Sequence, residues 1–151
     1  MTSNYQYMNI IPTEQVLTFM LGGKAQFVLW NQESGNRFEY VIRRSSKVET
    51  VWNVYYDRTY VGSIYEWYEH LQFKIGKGII PDSLPVKAIM WYLERLIHKP
   101  TTIPNNIVVY HLGVCSVCRR KLTTPDSVER GIGPECWKTI QKRSSTVSHT
   151  T

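Results

Sequence analysis

The stretch KAQFVLWNQESGNRFEYVIRR, Lys24 to Arg44, decides the fold. A pleated strand sends successive side chains to opposite faces, and both Lys24 to Asn31 and Asn36 to Arg44 alternate apolar with polar residues. Each therefore predicts a strand with one buried face. Between them lies Glu33-Ser34-Gly35, a short glycine-containing connection of the kind that closes a hairpin. Thr50 to Asp57 (TVWNVYYD) and Thr59 to Glu66 (TYVGSIYE) repeat the pattern around Asp57-Arg58. Two hairpins in succession predict a meander of about four antiparallel strands. In TVWNVYYD the alternation sets Trp52 and Val54 on one face and Val51 and Tyr55 on the other, so a one-sided sheet leaves an aromatic exposed.

C-terminal to the meander, after the Gly/Lys-rich FKIGKGIIPD, the period changes. Val86, Ile89, Met90, Leu93 and Ile97 recur at helical spacing, and Ser83 with Pro85 marks a start, so a helix over about 84–98 is predicted to cover one side of the sheet. HKPTTIPNN ends it, and Ile107 to His111 (IVVYH) reads as a strand. The fold class is thus α+β: an N-terminal antiparallel meander packed with one helix, followed by a small cysteine-rich unit. In domain terms the reading is an N-terminal extension over 1–21, an α+β domain over 22–105, a zinc finger over 106–143 and a polar flexible tail over 144–151.

The 151 residues suit one ordinary domain with a small appendage, and 42% hydrophobic with 13% aromatic residues supply a core and exclude a disordered chain. The start, MTSNYQYMNIIPTEQVLTFML, carries neither a basic segment nor a long apolar run, so no membrane span is expected and a cytoplasmic location is. The formal net charge is +6. Much of that surplus falls from His111 onward, in Arg119, Arg120, Lys121, Arg130, Lys138, Lys142 and Arg143 against Asp126, Glu129 and Glu135. Such a balance favours polyanionic partners.

The three cysteines of the chain lie in HLGVCSVCRRKLTTPDSVERGIGPECWKTI, His111 to Ile140. An odd number of thiols in a reducing compartment favours metal ligation over disulfides. Cys115-Ser116-Val117-Cys118 has the spacing at which a tight backbone knuckle turns two thiolates onto one ion. Gly131-Ile132-Gly133-Pro134-Glu135-Cys136 places a third thiol in a helix's first turn, where the dipole favours a thiolate. The intervening RRKLTTPDSVERG is long enough for a small hairpin, and knuckle, hairpin and helix outline a treble clef. Structural zinc takes four ligands. His111 is the nearest candidate for the fourth, with His98 and His149 as alternatives, giving one structural Zn²⁺ on His111, Cys115, Cys118 and Cys136. With three thiolates and a neutral imidazole the metallated charge is about +5, so the basic character survives.

The pattern His111-x-Gly113-x-Cys115-x-x-Cys118-x-Arg120-x-Leu122-Thr123-x-Pro125-x-Ser127, followed by Gly131-Ile132-Gly133-Pro134-x-Cys136, resembles a family of uncharacterised phage and prophage proteins with a C-terminal cysteine-rich zinc domain. Gly23-Lys24-Ala25-x-Phe27, Gly35-x-Arg37-Phe38, Tyr60-Val61-Gly62 and Val86-Lys87-Ala88 extend the resemblance over roughly Gly22 to Lys138. It implies a zinc-binding phage protein without an assigned reaction. Ser116 and Arg119 stand where that family has glycine, and Val117 where it has a basic residue. If the backbone after Cys118 takes positive φ, arginine there costs about 1 kcal/mol relative to glycine.

Catalysis is not expected. Four protein ligands would close the zinc site, the His-x-Glu and Pro-Cys-x-x-Cys signature of zinc deaminases is absent, and the segment between the knuckle and Cys136 has no histidine for a nuclease. Nucleic acid, DNA or RNA, is the first expected partner, held by Arg119, Arg120, Lys121, Arg130, Lys138, Lys142 and Arg143. Trp52, Tyr55, Tyr56, Tyr60, Tyr65, Trp67 and Tyr68 offer stacking surfaces or, alternatively, core and cross-strand pairs. The second expectation is a host protein on which the chain docks and which it inhibits.

Overall fold

The computed structural model describes residues 9–149, with side chains described as far as Lys142. Among the described residues, seven strands form one antiparallel sheet: β1 (Ile10–Ile11), β2 (Lys24–Asn31), β3 (Arg37–Arg44), β4 (Val51–Tyr56), β5 (Thr59–Trp67), β6 (His70–Ile75) and β7 (Ile107–His111). Their order is β1-β7-β2-β3-β4-β5-β6. The helices are α1 (Thr13–Met20), α2 (Leu84–His98), α3 (Pro125–Arg130) and α4 (Pro134–His149), with a 3₁₀ turn at Pro100–Thr102. No described helix is long and apolar enough to cross a membrane.

Alternation builds the core. Ala25, Phe27 and Leu29 of β2, Tyr40 and Ile42 of β3, Trp52 and Val54 of β4 and Ile64 of β5 are buried against Val16, Phe19 and Met20 of α1 and Ile89, Tyr92, Leu93 and Leu96 of α2. Each such large apolar side chain contributes about 1.5–3 kcal/mol on burial. Two polar tips fix the helical layer. Tyr40 Oη donates to the Pro85 carbonyl at 2.6 Å, and Trp52 Nε1 donates to the Leu21 carbonyl at 3.0 Å.

The α+β class and the helix over 84–98 are as the sequence predicts. Ser83 stands at its N-cap position, although its side chain makes no capping bond there. The buried stripe of α2 is rotated toward Tyr92 and Leu96, and Met90 is only half-buried. Other expectations need correction. The meander has five strands, β2 to β6, because His70–Ile75 pairs with β5 from Gly62↔Ile75 to Trp67↔His70. The supposed N-terminal extension supplies β1 and α1, whose Phe19 and Met20 are fully buried. The strand assigned to a separate finger lies inside the sheet, Val28↔Tyr110 and Leu29↔Val109 being paired, so a division at 105/106 cuts through hydrogen-bonded strands. The hairpin expected between the knuckle and Cys136 is instead the short helix α3. Thr124 caps it in a reciprocal box with Ser127, and Pro125 sits in its first turn, so local capping prevails over strand pairing. The helical backbone of α4 runs through most of the segment read as a tail, and Thr150 and Thr151 lie outside the described residues.

Candidate metal centre

β7 delivers the chain to the site. After His111 the backbone turns at Gly113 (φ 86°), and an isolated bridge pairs Val114 with Lys121 across the knuckle. The Cys115 amide donates to the Arg120 carbonyl at 2.8 Å, and the Arg119 amide donates to the Cys115 carbonyl at 3.0 Å. Closing so tight a turn puts Arg119 at φ 69°, the left-handed conformation that its position after Cys118 suggested. Cys136 enters from the first turn of α4. The three Sγ atoms lie within 4.8 Å of one another, near the roughly 3.8 Å that tetrahedral Zn–S bonds of ~2.3 Å require.

The donor set fits a soft cation held on thiolates. Burial opposes ionisation of Cys115, but amides donating to its sulfur outweigh it, and the thiol is held below its ordinary value. Among those donors are Gly133 at 3.2 Å and Val117 at 3.4 Å. Cys136 is pushed the other way, up to about 12, by burial and by the neighbouring Cys118 and Cys115 sulfurs. Three sulfurs without a cation therefore do not all ionise, whereas a bound cation relieves their repulsion.

The unit is fastened to the sheet at several points. The Lys24 amide donates to the Ser116 carbonyl at 2.7 Å, and the Ser116 amide donates to the Gly131 carbonyl at 3.1 Å. Gly131, at φ 73°, closes α3, and a Cβ there would lie 2.4 Å from Phe19 Cδ1. Leu122, Ile132 and Cys115 form a small core with Val117, Val128, Trp137 and Ile140 around it.

The structure does not bring His111 to the thiols. The cluster of potential metal ligands contains Cys115, Cys118 and Cys136, and His111 is outside it. Its ring is fully buried near Phe19, with Nε2 at 2.5 Å from the Val128 carbonyl and Nδ1 accepting from the Gly113 amide at 2.9 Å. A carbonyl only accepts and an amide N–H only donates, so both ring nitrogens are engaged and the imidazole is the neutral Nε2–H form. Burial holds its pKa low, partly offset by the Val128 bond. Of the alternatives, His98 lies on α2 beside Glu94 at 3.8 Å, and the side chain of His149 is outside the described residues.

The expected basic residues do not all share one face. Arg119, Arg120 and Lys121 are exposed in the knuckle. Arg130 is turned inward, its Nε donating to the Ile132 carbonyl at 3.2 Å and its guanidinium lying 4.9 Å from the Trp137 ring centroid. Lys138 pairs with Glu135 at 3.9 Å in the open, Lys142 lies further along α4, and the side chain of Arg143 is outside the described residues. A groove joins Arg119 to Lys24, Gln26, Arg43 and Arg44 of the sheet. Reading from the sequence missed those partners. The alternation of β2 and β3 gives the face of Lys24, Gln26 and Arg43, with Arg44 on the opposite side over the Trp52 ring, but the register that sets Lys24 opposite Arg43 exists only in the folded hairpin.

Compared with known proteins, residues 108–141 match a family of unknown function, DUF6011, which spans β7, the knuckle and the start of α4. No curated protein and no solved structure matches the chain.

Proposed function

We propose that the chain is a non-enzymatic protein that holds one structural Zn²⁺ on Cys115, Cys118 and Cys136 and binds nucleic acid through the basic surface that the knuckle completes. Three thiolates suit zinc and leave one of its four tetrahedral positions to a ligand outside the cluster, so the non-enzymatic reading rests on the surrounding groups rather than on a closed site. The observation that carries the nucleic-acid reading is the groove joining Arg119 to Lys24, Arg43 and Arg44. Metal binding holds the knuckle, the knuckle holds Arg119, and the amide of Lys24 itself bonds to Ser116. A non-catalytic role accords with the nearby carboxylates, since Glu135 is exposed and paired with Lys138. A phage or mobile-element setting rests on the resemblance carried by His111 to Cys136.

Anisotropy of labelled DNA and RNA with zinc-loaded protein tests the reading. Binding should fall steeply between about 50 and 200 mM salt, because Lys and Arg displace condensed counterions. Arg119→Gln combined with Arg43→Gln should weaken it and flatten the salt slope; an unchanged slope in that variant sinks the groove assignment. Metal analysis should find one zinc per chain, lost in Cys136→Ser.

One observation favours a protein partner instead. Trp67 and Tyr68, 64% and 81% exposed, stand edge to face at the β5–β6 turn. Association with a host protein that tolerates salt and disappears in Trp67→Ala would establish that alternative.

A further inference from the structure

Apart from the metal centre, the main unassigned surface is the face of the sheet opposite α1 and α2, outside the patch that Val28, Trp30 and Tyr110 close at its β7–β2 end. We propose that this outer face is a platform for one single strand of nucleic acid, its phosphates running along a basic row and its bases stacking on Tyr55 and Tyr60. This rests on the nucleic-acid reading above and specifies the form of polymer bound.

Strand register places Lys24, Arg43, Asn53, Ser63 and Lys74 side by side across β2 to β6. Paired residues in neighbouring strands share a face, and at ~4.8 Å per strand the row runs roughly 19 Å. Lys24, Arg43 and Lys74 are exposed along it. Arg119 stands at its β2 end, in the groove with Lys24 and Arg43. The adjoining row is Gln26, Val41, Tyr55 and Tyr60, in which Tyr55 and Tyr60 pair directly after a register shift. Their ring centroids are 6.0 Å apart.

The tyrosines are not core residues turned outward by accident. Tyr60 is 38% exposed and Tyr55 half-buried, whereas Trp52 and Val54 on the other face of the same strand are buried. Tyr60 is held in place: its hydroxyl bonds Ser63 Oγ at 2.5 Å, and Ser63 donates to Asn53 Oδ1 at 2.8 Å. Its ring lies so close to Gly76 that a Cβ there would be 2.6 Å from Tyr60 Cε2. A fixed aromatic ring loses little entropy when a base stacks on it. The acids on this face are few and partly engaged. Glu39 accepts from Gln26 at 2.7 Å, and Asp57 shares the β4–β5 turn with Arg58, at the edge of a second groove with Arg43 and Tyr55.

The row of cations alone would accept a duplex equally well. The aromatic row beside it discriminates, because duplex bases are already stacked on one another and offer no free face.

The test uses zinc-loaded full-length protein with labelled oligo-dT, the same strand annealed to oligo-dA, and oligo-U. We expect oligo-dT and oligo-U to bind at least tenfold more tightly than the duplex. Tyr55→Leu/Tyr60→Leu should lose about tenfold or more on the single strands while duplex binding stays unchanged. Tyr55→Phe/Tyr60→Phe keeps the rings and should restore single-strand binding, which also separates stacking from a folding defect. Equal affinity for duplex and single strand, single-strand affinity untouched in the leucine variant, or loss in the phenylalanine variant equal to that in the leucine variant each overturns the platform while leaving the basic-surface reading standing. Absence of binding to all three probes at about 50 mM salt defeats both.

Discussion

Arg119 carries a conformational cost and a charge at one position. Its φ of 69° is one that glycine adopts freely and other residues adopt at about 1 kcal/mol. Arg119→Gly should therefore raise the denaturant midpoint of the zinc-loaded protein by about 1 kcal/mol equivalent while weakening nucleic-acid binding. A variant that gains stability and loses no affinity would show that the side chain has no part in the groove. His111 makes the opposite case, a polar group whose place in the core depends on neutrality. Protonating Nδ1 would set a second donor against the Gly113 amide. Since its folded pKa lies below the ordinary 6.5, the unfolded chain binds the proton more readily. The stability this group contributes is therefore present above about pH 6.5 and is lost as pH falls below it. In excess zinc, His111→Ala should cost about 3 kcal/mol, flatten the stability profile between pH 7 and 5 and keep one metal per chain. Loss of the metal with little loss of stability would restore His111 as a ligand. The three thiols were legible in the sequence because C-x-x-C spacing and a helix-start cysteine are local geometry. The role of His111 was not, because proximity in sequence does not say which side of a strand end faces the thiols.

Two of the four turns of the meander, β4–β5 and β5–β6, share an unusual chemistry. Asp57 and Arg58 have φ 48° and 66°, and Tyr68 and Glu69 have φ 49° and 66°, the mirror-image turn normally built from Asn-Gly or Asp-Gly. Glu69→Gly should relieve the second turn and stabilise the protein by about 1 kcal/mol in chemical denaturation; destabilisation would mean that the Glu69 side chain supports the hairpin. The same chemistry explains what the sequence disclosed of the elements. β2 to β5 showed themselves by alternation and α2 by its stripe and its proline. β6 did not, because Tyr68-Glu69 is no turn signal and the following Gly76 and Gly78 read as loop. α1 is eight residues with no side-chain cap bond, and tertiary burial of Val16, Phe19 and Met20 sustains it rather than local propensity. α3 was legible in principle, since Thr124-Pro125 followed by Ser127 is a helix start, but the expectation of a treble-clef hairpin displaced it.

Two of the three hydrophobic clusters among the described residues, unequal in size, divide the molecule energetically. The core between the sheet and helices α1 and α2 holds eighteen buried residues, whereas the unit carrying the cysteines buries Cys115, Leu122 and Ile132. So small a cluster cannot offset the conformational entropy of the roughly thirty residues it orders. Zinc bound to the thiols as proposed would supply the difference, since metal–thiolate bonding is worth on the order of 10 kcal/mol in structural zinc sites. β7 belongs to the larger body, because it is paired on both sides, to β1 and to β2. We therefore expect the division in stability to fall after His111, not at the start of the strand. Chelating the metal should raise hydrogen exchange at the knuckle amides of Val117 and Arg119 and at Leu122 and Gly133, while the amides of β3 to β5 keep their protection. Partial loosening should reach α1, since Gly131 rests on Phe19 and Gly22 on Ser116. Basic-groove affinity should fall in the same titration, as Arg119 leaves its place beside Lys24 and Arg43. Strands β3 to β5 losing protection in step with the knuckle would show one cooperative unit. A knuckle that stays protected without metal would show that the sheet alone holds it, and then the amide bonds to Cys115 serve packing rather than coordination.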